Sequence, residues 1–365
     1  MIIKEINIFD FRNYQIADVG FHEKINIIRG GNGQGKTNLL EAVSILSMGK
    51  SFRTKNDTEM IRFNSEYFKV KGLFLRDDRE MSIEMRLSRG EKGFIIDGIH
   101  KKRNAELLEH VYTVVFSPED LKIVKEDPDK RRRFLDRELF QLKPLYYKEL
   151  ARYKKALRNR NNLLKAEHPD WELISVYDVY MAESGARVMS FRNEFIEKLN
   201  VVSGETGGRI SGGKEKLCVL YDSNVPFFPS SSDMKEALIE RYNESRERDN
   251  AAGSTSAGPH RDDIKIMLGG EDLRKYGSQG QQRTAALALK LAELKIIKEE
   301  TGVDAILLLD DVLSELDHDR QNFLIRSFEE NQILLTAADL SEKTLNALPR
   351  GKMLEVKNGE VFDTV

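Results

Sequence analysis

The sequence predicts an α/β fold with a helical hairpin inserted into it, and three patterns carry this prediction. Residues 24–28 alternate apolar and polar side chains as a strand does, and a glycine-rich stretch and a helical pattern over residues 37–48 follow. Residues 305–309 form a continuous apolar run, which is typical of a strand buried on both faces of a parallel sheet. Between these segments, apolar residues recur at helical spacing over residues 129–199.

The other elements follow from shorter patterns. Short alternating strands with polar turns are predicted over residues 69–99, and a strand over residues 111–116 that Pro118 ends. The long helix of the hairpin is expected to bend near Pro144, and residues 168–170 turn the chain. Further predictions are loops at 203–213 and 249–258, the second of them mobile, a helix at 281–300, a strand at 333–335, and core positions for Cys218 and Trp171.

Length and composition limit the possible classes of protein. The chain has 365 residues, enough for two lobes, with 58 Lys and Arg against 60 Asp and Glu. This balance excludes a globally basic nucleic-acid coat protein, but not a local basic patch. The apolar runs are shorter than the roughly 20 residues of a membrane helix, and the N-terminus is charged too early for a signal peptide. A single cysteine fits a reducing compartment, so we expect a cytoplasmic protein.

We expect the two lobes to divide the chain discontinuously. Residues 1–117 and 303–365 carry most of the predicted strands and should form the first lobe. Residues 118–302, which contain the helical hairpin, should form the second lobe.

Residues 30–37 read GGNGQGKT and match the pattern G-x-x-x-x-G-K-[ST] of a phosphate-binding loop. Glycines allow consecutive backbone N–H groups to surround phosphate oxygens, and the following helix adds its positive end. Lys36 would reach the β- and γ-phosphates, and the Thr37 hydroxyl would ligate Mg²⁺. The residues predicted to bind ATP here are Gly30, Gly31, Asn32, Gly33, Gln34, Gly35, Lys36, Thr37 and Asn38.

Two carboxylates, Asp310 and Asp311, follow the apolar run at 305–309. Ligands of open α/β sheets bind outside the carboxyl ends of the strands. Asp310 is therefore predicted to hold Mg²⁺ through water beside Thr37, and Asp311 to orient or deprotonate the attacking water. Lys36, Asp310 and Asp311 are the predicted catalytic residues. Taken alone, an Asp after a strand could equally cap a helix.

Residues 276–283, YGSQGQQR, stand before the last predicted long helix. Ser278 is expected to cap that helix, whose N–H groups would form an anion site. Taken alone, the segment could be a capped surface helix without a ligand. It also resembles the signature motif of ABC-type ATPases, although Gln279 stands where that motif has a glycine. The matching residues are Ser278, Gly280 and Gln281.

The order of the motifs resembles that of the same superfamily. Residues 314–317 look like its D-loop, and the order is phosphate loop, signature, acidic strand, D-loop. The fold that this resemblance implies is an ABC-type ATPase head, a P-loop NTPase. The separation of Lys36 and Ser278 is too long for a transporter ATPase subunit and too short for an SMC protein with its long coiled coil. A head with a short helical hairpin and no long coiled coil is similar to the RecF family.

Further segments over most of the chain also resemble the RecF family. They read FRNY at 11–14, SFRT at 51–54, FSPEDL at 116–121, RRFLD at 132–136 and GPHRDD at 258–263. The resemblance implies a bacterial ATPase of DNA damage repair, replication and the SOS response. It also implies binding to single-stranded, gapped or junction DNA, and action with RecR and RecO to load the recombinase.

The resemblance further implies a homodimer that holds two ATP molecules, since in ABC ATPases the signature of one subunit covers the ATP of the other. Two departures from the wider superfamily, which RecF proteins share, predict slow hydrolysis. Asp311 stands where most relatives have a catalytic Glu, and Thr336 stands where many have a switch His. A shorter carboxylate holds its water less well, and a missing His removes a γ-phosphate sensor.

Local composition gives DNA binding modest support. Residues 121–165 contain 15 Lys and Arg against 6 Asp and Glu, and residues 50–103 contain 14 against 9. Such patches could follow phosphates, or they could be solvated helix faces. The candidate DNA contacts are Arg53, Lys55, Arg131, Arg132 and Arg133.

Three functions and one local question stay open at this point. The RecF-like ATP-gated DNA clamp competes with a small-molecule phosphotransferase, which would leave the segment at 276–283 unexplained. The third reading is an SMC-type tether, for which the chain lacks the arm. His260 and Arg261 could reach the nucleotide or the dimer face, or they could be a buried pair in a turn.

Overall fold

The structure is a computed structural model, and it describes residues 1–88, 90–213, 215–327, 330–338, 348 and 350–364. Its contacts divide the chain into two compact units, which are Met1–Lys122 with Ala286–Val365, and Ile123–Ala285. The predicted lobes differ in that residues 118–122 and 286–302 belong to the first unit here. The second boundary falls inside a continuous helix, where a sequence pattern gives no boundary.

The described residues form strands and helices with the following bounds. The strands are β1 (Ile2–Phe11), β2 (Tyr14–Gly20), β3 (Ile25–Arg29), β4 (Tyr67–Arg76), β5 (Arg79–Ser88), β6 (Lys92–Ile96), β7 (Ile99–Lys101), β8 (Thr113–Phe116), β9 (Leu217–Asp222), β10 (Asp263–Leu268), β11 (Glu271–Asp272), β12 (Ile306–Asp310), β13 (Ile333–Ala337), β14 (Lys352–Lys357) and β15 (Glu360–Thr364). The helices are α1 (Lys36–Met48), α2 (Pro128–Leu142), α3 (Pro144–Leu164), α4 (Trp171–Ile210), α5 (Ser231–Glu244), α6 (Arg246–Ala252), α7 (Leu273–Tyr276), α8 (Gln279–Thr301) and α9 (His318–Arg326). Among these helices, none is both long enough and apolar enough to cross a bilayer.

The first unit contains a sheet with strand order β15-β14-β3-β13-β12-β8, in which only the edge strand β15 is antiparallel to its neighbour. Every residue of β12 and β13 is buried, as the apolar runs predict for central parallel strands. The carboxyl ends of β3, β13 and β12 therefore open on the same edge. The glycine-rich loop follows β3, and the acidic pair stands at the end of β12.

Helix α1 packs between this sheet and a second, antiparallel sheet with strand order β2-β1-β4-β5-β6-β7. Its residues Leu39, Val43 and Leu46 are fully buried in one core with side chains of both sheets. Each such burial contributes about 2 kcal/mol relative to an exposed side chain. This packing fixes the N-terminus of α1 where the glycine-rich loop ends.

The second unit is built on the predicted helical hairpin. The break falls at Lys143, and Pro144 is the first residue of α3, a position that tolerates its missing N–H. Helix α4 returns along α3 and also packs on α5 and on the antiparallel sheet β11-β10-β9. No long coiled coil is present in the described part of the chain.

The two predicted loops of this unit are wrong in part: residues 211–213 and 253–258 lie outside helices and strands as predicted, but the rest of each segment is helical. Residues 203–210 continue α4, because their glycines permit close packing: a Cβ on Gly204 would lie 3.2 Å from the carbonyl oxygen of Leu217 in β9. Residues 249–252 belong to α6, where Asp249 is fully buried and accepts a 2.9 Å hydrogen bond from Arg160. Tertiary contacts thus override the local preference of Gly and Ser for loops.

The predicted core positions of Cys218 and Trp171 are also wrong, since both side chains are partly exposed. Cys218 lies in β9, and the Trp171 ring stacks under the guanidinium of Arg246 with 5.1 Å to the ring centroid. An indole at the start of α4 therefore packs against a cation rather than in the apolar core.

Candidate nucleotide site

The glycine-rich loop runs from the end of β3 into α1 as an open turn. Gly30 has φ 152°, and a Cβ there would lie 2.3 Å from the carbonyl oxygen of Val356. Gly33 has φ 77° and no heavy atom within 4 Å of its Cβ position. The loop is therefore packed against β14 at its start and opens to free space at its middle, where a ligand could approach the backbone.

Lys36 reaches back over this loop. Its side chain is 4% exposed, and its Nζ donates hydrogen bonds to the carbonyl oxygens of Gly30 at 2.8 Å and Gly31 at 3.2 Å. The same nitrogen is 4.0 Å from a carboxylate oxygen of Asp311. The ammonium is thus held inside the loop and beside the acidic strand end, where it can reach an anion bound by the loop.

Thr37 and Asp310, the two residues predicted to hold Mg²⁺, are joined by a hydrogen bond. The Thr37 hydroxyl donates to Asp310 Oδ1 at 2.7 Å, and the Thr336 hydroxyl donates to the same oxygen at 2.8 Å. Burial raises the pKa of Asp310, while these two hydrogen bonds oppose the rise. Within the described residues no group of three or more His, Cys, Asp and Glu could hold a metal by itself. Two protein oxygens fit Mg²⁺, which prefers oxygen ligands and keeps waters and phosphates around it.

Asp311 follows at a turn out of the strand. It adopts the left-handed conformation with φ 49°, which Asp tolerates better than most residues, and its side chain is 34% exposed. Its N–H donates to Thr336 Oγ1 at 3.0 Å, and its carbonyl accepts from Ser314. The carboxylate therefore points out of the core from a fixed backbone, beside Lys36.

Thr336 is a site residue that the sequence analysis interpreted only as a missing histidine. Its single hydroxyl joins Asp310 and the backbone of Asp311 from the next strand, β13. A threonine at the carboxyl end of the strand next to β12 is the sequence signal that could have identified this role.

The turn between β1 and β2 supports the loop from one side. The Asn13 side-chain amide donates to the carbonyl of Gln34 at 2.7 Å, and the buried Tyr14 hydroxyl donates to the carbonyl of Gly35 at 2.9 Å. Burial raises the pKa of Tyr14, so the phenol keeps its proton as a donor. The FRNY segment thus fixes the two loop residues immediately before Lys36.

The turn between β14 and β15 supports the loop from the other side. The N–H of Gly359 donates to the carbonyl of Gln34 at 3.0 Å, and the N–H of Asn358 donates to the Gln34 side chain at 2.7 Å. Gln34 was predicted as a nucleotide contact. Its carbonyl and side-chain oxygens hold the loop in shape, which leaves its backbone N–H for that contact.

A buried carboxylate on α1 gathers two arginines beside the loop. Glu41 is fully buried and accepts from Arg12 at 2.6 and 2.9 Å and from Arg53 at 3.3 Å. Arg53 also donates to Asn38 at 2.6 Å, and Asn38 donates to Asn13 at 2.7 Å. Two predicted site residues, Asn38 and Arg53, are thus parts of one polar network next to the loop.

The signature-like segment lies in the second unit and is exposed. Ser278 accepts from the N–H of Gln281 at 3.3 Å, and the Gln281 side chain accepts from the N–H of Ser278 at 2.9 Å. This reciprocal pair is a capping box, so Ser278 begins α8 as predicted. Ser278 and Gln279 are exposed, and Gly280 is partly exposed. The helix start therefore faces solvent, where it could receive an anion.

The candidate DNA residues differ in their exposure. Arg131 is 2% exposed and forms a two-pronged ion pair with Asp263 at 2.6 and 2.7 Å, so it has no surface to offer to a phosphate. Arg132 is partly buried and donates to the carbonyl of Asp262. Lys55 and Arg133 are exposed.

His260 takes the structural alternative that the sequence analysis left open. Its Nε2 donates to the carbonyl of Thr255 at 3.0 Å, so its Nδ1 accepts from the Tyr153 hydroxyl at 2.6 Å. Burial lowers its pKa to about 4, which keeps the ring neutral near pH 7. Arg261 is exposed and donates to the same Thr255 carbonyl. The pair thus closes a turn within the second unit.

Comparisons with known proteins agree over the whole chain. A family model described as the RecF/RecN/SMC N terminal domain matches residues 2–347. A curated protein named DNA replication and repair protein RecF, from Agathobacter rectalis, is 41% identical over 99% of both chains. One of the same name from Clostridioides difficile is 38% identical over 99% of this chain and 98% of its own.

Solved structures give the same result. A structure described as the recombination mediator protein RecF with ATP in the RecFOR pathway is 40% identical, has a TM-score of 0.91, and is matched over 100% of this chain and 97% of its own. An SMC head bound to the C-terminal winged-helix domain of ScpA has a TM-score of 0.56 at 15% identity, over 100% of this chain and 98% of its own, and shows the fold alone. The predicted fold class, an α/β ABC-type ATPase head without a long coiled coil, is confirmed.

Proposed function

Because this chain belongs to the RecF family, we propose that it is a DNA replication and repair protein that binds ATP and uses slow hydrolysis as a switch on DNA. The observation that carries the proposal is the joint presence of Lys36, Thr37, Asp310 and Asp311 at one edge of one parallel sheet. This is where ligands of open α/β sheets bind.

Each site residue has a specific task in this proposal. The loop N–H groups and Lys36 bind the phosphates of ATP, and Asp311 accepts a proton from the attacking water. Thr37 and, through water, Asp310 would hold Mg²⁺, which would supply positive charge to the triphosphate. Thr336 keeps both carboxylates in place from the neighbouring strand.

The slow rate follows from the same residues. Asp311 is one methylene shorter than the glutamate of most ABC ATPases, and Thr336 uses its hydroxyl within the site instead of presenting an imidazole. We therefore expect a turnover far below tens per second. A measured turnover in the tens per second would contradict the proposal.

A homodimer completes the proposed mechanism. The ATP held by the loop of one copy is covered by the α8 start of a second copy, through Ser278, Gly280 and Gln281. The exposure of Ser278 supports this step, because a buried helix start could not meet a second molecule. ATP binding then favours the dimer by mass action.

The proposal of DNA and two protein partners rests on the similarity to RecF proteins. The solved relatives are described as recombination mediators in the RecFOR pathway. We propose that this chain binds single-stranded, gapped or junction DNA and works with RecO and RecR to load the recombinase.

The test combines sedimentation velocity with an ATPase assay. We expect ATP, but not ADP, to shift the protein from monomer to dimer, and gapped DNA to raise its slow ATPase activity several-fold. A small-molecule phosphotransferase would stay monomeric with ATP and would be indifferent to DNA. That result would overturn the proposed function.

A further inference from the structure

Helix α3 presents a solvent face on which every exposed charged side chain is a cation. These side chains are Lys148, Arg152, Lys154, Lys155 and Arg158. The helix has one acidic residue, Glu149, which is buried and paired with Arg152 at 3.4 Å and with Arg187 at 2.9 Å. The exposed face therefore carries no negative charge of its own.

Three of these cations, Lys148, Lys155 and Arg158, make no side-chain hydrogen bond and no ion pair with the residues that the structure describes. Arg152 lies four residues after Lys148 and three before Lys155, so like charges are neighbours on one helix surface. Like charges at i,i+4 destabilise a helix. Because this row of cations lowers the stability of the helix, a role in binding an external anion explains it better than a role in folding.

The face has the dimensions of an extended contact. Lys148 and Arg158 are separated by about 15 Å along the helix axis, and exposed Lys165 just beyond the helix extends the row to about 26 Å. B-DNA carries one charge per about 1.7 Å of its axis, so several phosphates lie within reach of the row.

The exposed charges of helix α5, in the same unit, have the opposite sign. Helices α5 and α6 expose an acidic row made of Glu236, Glu240, Glu244 and Glu247. A polyanion is therefore attracted along α3 and repelled along α5, which restricts its direction of approach.

Duplex DNA is the polyanion that fits this face. The apolar side of α3 is buried in the core, with Tyr146 and Tyr153 fully buried, so the helix cannot insert into a lipid surface. Single-stranded nucleic acid is usually held by exposed aromatic rings that stack on bases. Of the tyrosines in α3, only Tyr147 is even partly exposed.

We propose that the exposed face of α3 binds the sugar-phosphate backbone of duplex DNA through Lys148, Arg152, Lys155 and Arg158. The inference rests on the proposed function and gives its DNA contact a location. Within the basic segment at 121–165 it assigns the contact to these residues rather than to the candidate Arg131, which is buried.

The test uses the full-length triple variant Lys148→Gln, Lys155→Gln, Arg158→Gln and a labelled duplex oligonucleotide over a range of salt. We expect at least tenfold weaker binding at low salt. The slope of log K against log salt should flatten by up to about 0.9 for each lost phosphate contact. The matched control removes three exposed or partly exposed cations of the same unit by Arg241→Gln, Arg248→Gln and Lys265→Gln, and should bind like the original chain.

The outcomes separate the proposal from the proposed function. If the original chain binds duplex DNA and both triple variants bind equally well, the α3 contact is wrong while the function stands. A loss confined to single-stranded DNA, or to RecO or RecR, would overturn the duplex assignment. If the original chain binds no DNA in any form, the DNA part of the proposed function fails together with this inference. ATP-dependent dimerisation of both variants should be unchanged, which shows that the fold is intact.

Discussion

The glycine-rich loop of the first unit and the α8 start of the second unit both present backbone N–H groups at the N-terminus of a helix, but they are held in different ways. The loop is supported from three directions, by Asn13 and Tyr14, by the Asn358–Gly359 turn, and by Lys36 bonded to its own carbonyls. The α8 start is held mainly by neighbours in sequence: its own capping box and bonds from the Gln282 side chain to the carbonyls of Leu273 at 3.3 Å and Gly277 at 3.1 Å. A bond from Gln281 to Glu215 at 2.9 Å links it to a distant segment.

This difference indicates two kinds of anion site. A loop that is fixed before its ligand arrives loses little conformational freedom on binding, so it can bind nucleotide on its own. An exposed helix start without a surrounding loop has weak affinity by itself and becomes useful when another surface brings the anion to it. Variants of the loop should therefore affect ATP binding, and variants of the α8 start should affect dimerisation. Three such variants differ in the size of the expected effect.

The largest effect is expected from Lys36→Met. The variant removes the ammonium that is hydrogen-bonded to the loop carbonyls and should weaken ATP binding by about 100-fold, since a hydrogen bond to a charged group contributes about 1.5–3 kcal/mol. Titration with a labelled nucleotide measures it. Lys4→Met, an exposed lysine paired with Glu80, is the control and should bind normally. Unchanged ATP affinity in Lys36→Met would show that the loop is not the nucleotide site.

The second effect separates the two regions. Ser278→Arg should leave ATP affinity unchanged but weaken ATP-driven dimerisation at least tenfold. A bulky side chain at the start of α8 would block the approach of the second copy's nucleotide. Sedimentation velocity with ATP measures it. Ser230→Arg is a matched control, since Ser230 caps α5 in the same unit and its loss costs a similar helix cap of about 1 kcal/mol. An ATP-induced dimer that survives Ser278→Arg would contradict the role of the α8 start.

The same two regions show what the sequence can and cannot predict. The segment GGNGQGKT and the acidic pair can be recognised from the sequence, because their function demands fixed residue types at fixed spacing. The parallel strands are evident from continuous apolar runs. The supports of the loop are not evident, because Asn13 and Gly359 are far apart in sequence and act through single hydrogen bonds. The burial of Arg131, a predicted DNA contact, is not evident for a similar reason. Its partner Asp263 is distant in sequence, so no local pattern shows that Arg131 is buried.

The glycines at 203–213 show a further limit. A run of Gly and Ser predicts a loop when only local preferences are considered. Residues 203–210 of this run continue α4 because a neighbouring strand approaches closely enough to exclude larger side chains. Which of these applies depends on β9, whose position the sequence pattern of the segment does not contain.

The smallest of the three effects tests whether the loop is indeed fixed in advance. Asn13→Ala removes the side-chain bond to Gln34 and its link to Asn38, and should weaken ATP binding about five- to tenfold through a more mobile loop. Asn7→Ala, in strand β1 before this turn, removes an exposed side-chain bond to Asp18 and should leave ATP affinity unchanged. Thermal unfolding without nucleotide should shift equally in both variants, whereas only Asn13→Ala should lose part of the stabilisation by ATP. Equal ATP affinity in both variants would mean that the loop needs no support from this turn, and the contrast with the α8 start would then rest on Lys36 and the Asn358–Gly359 turn.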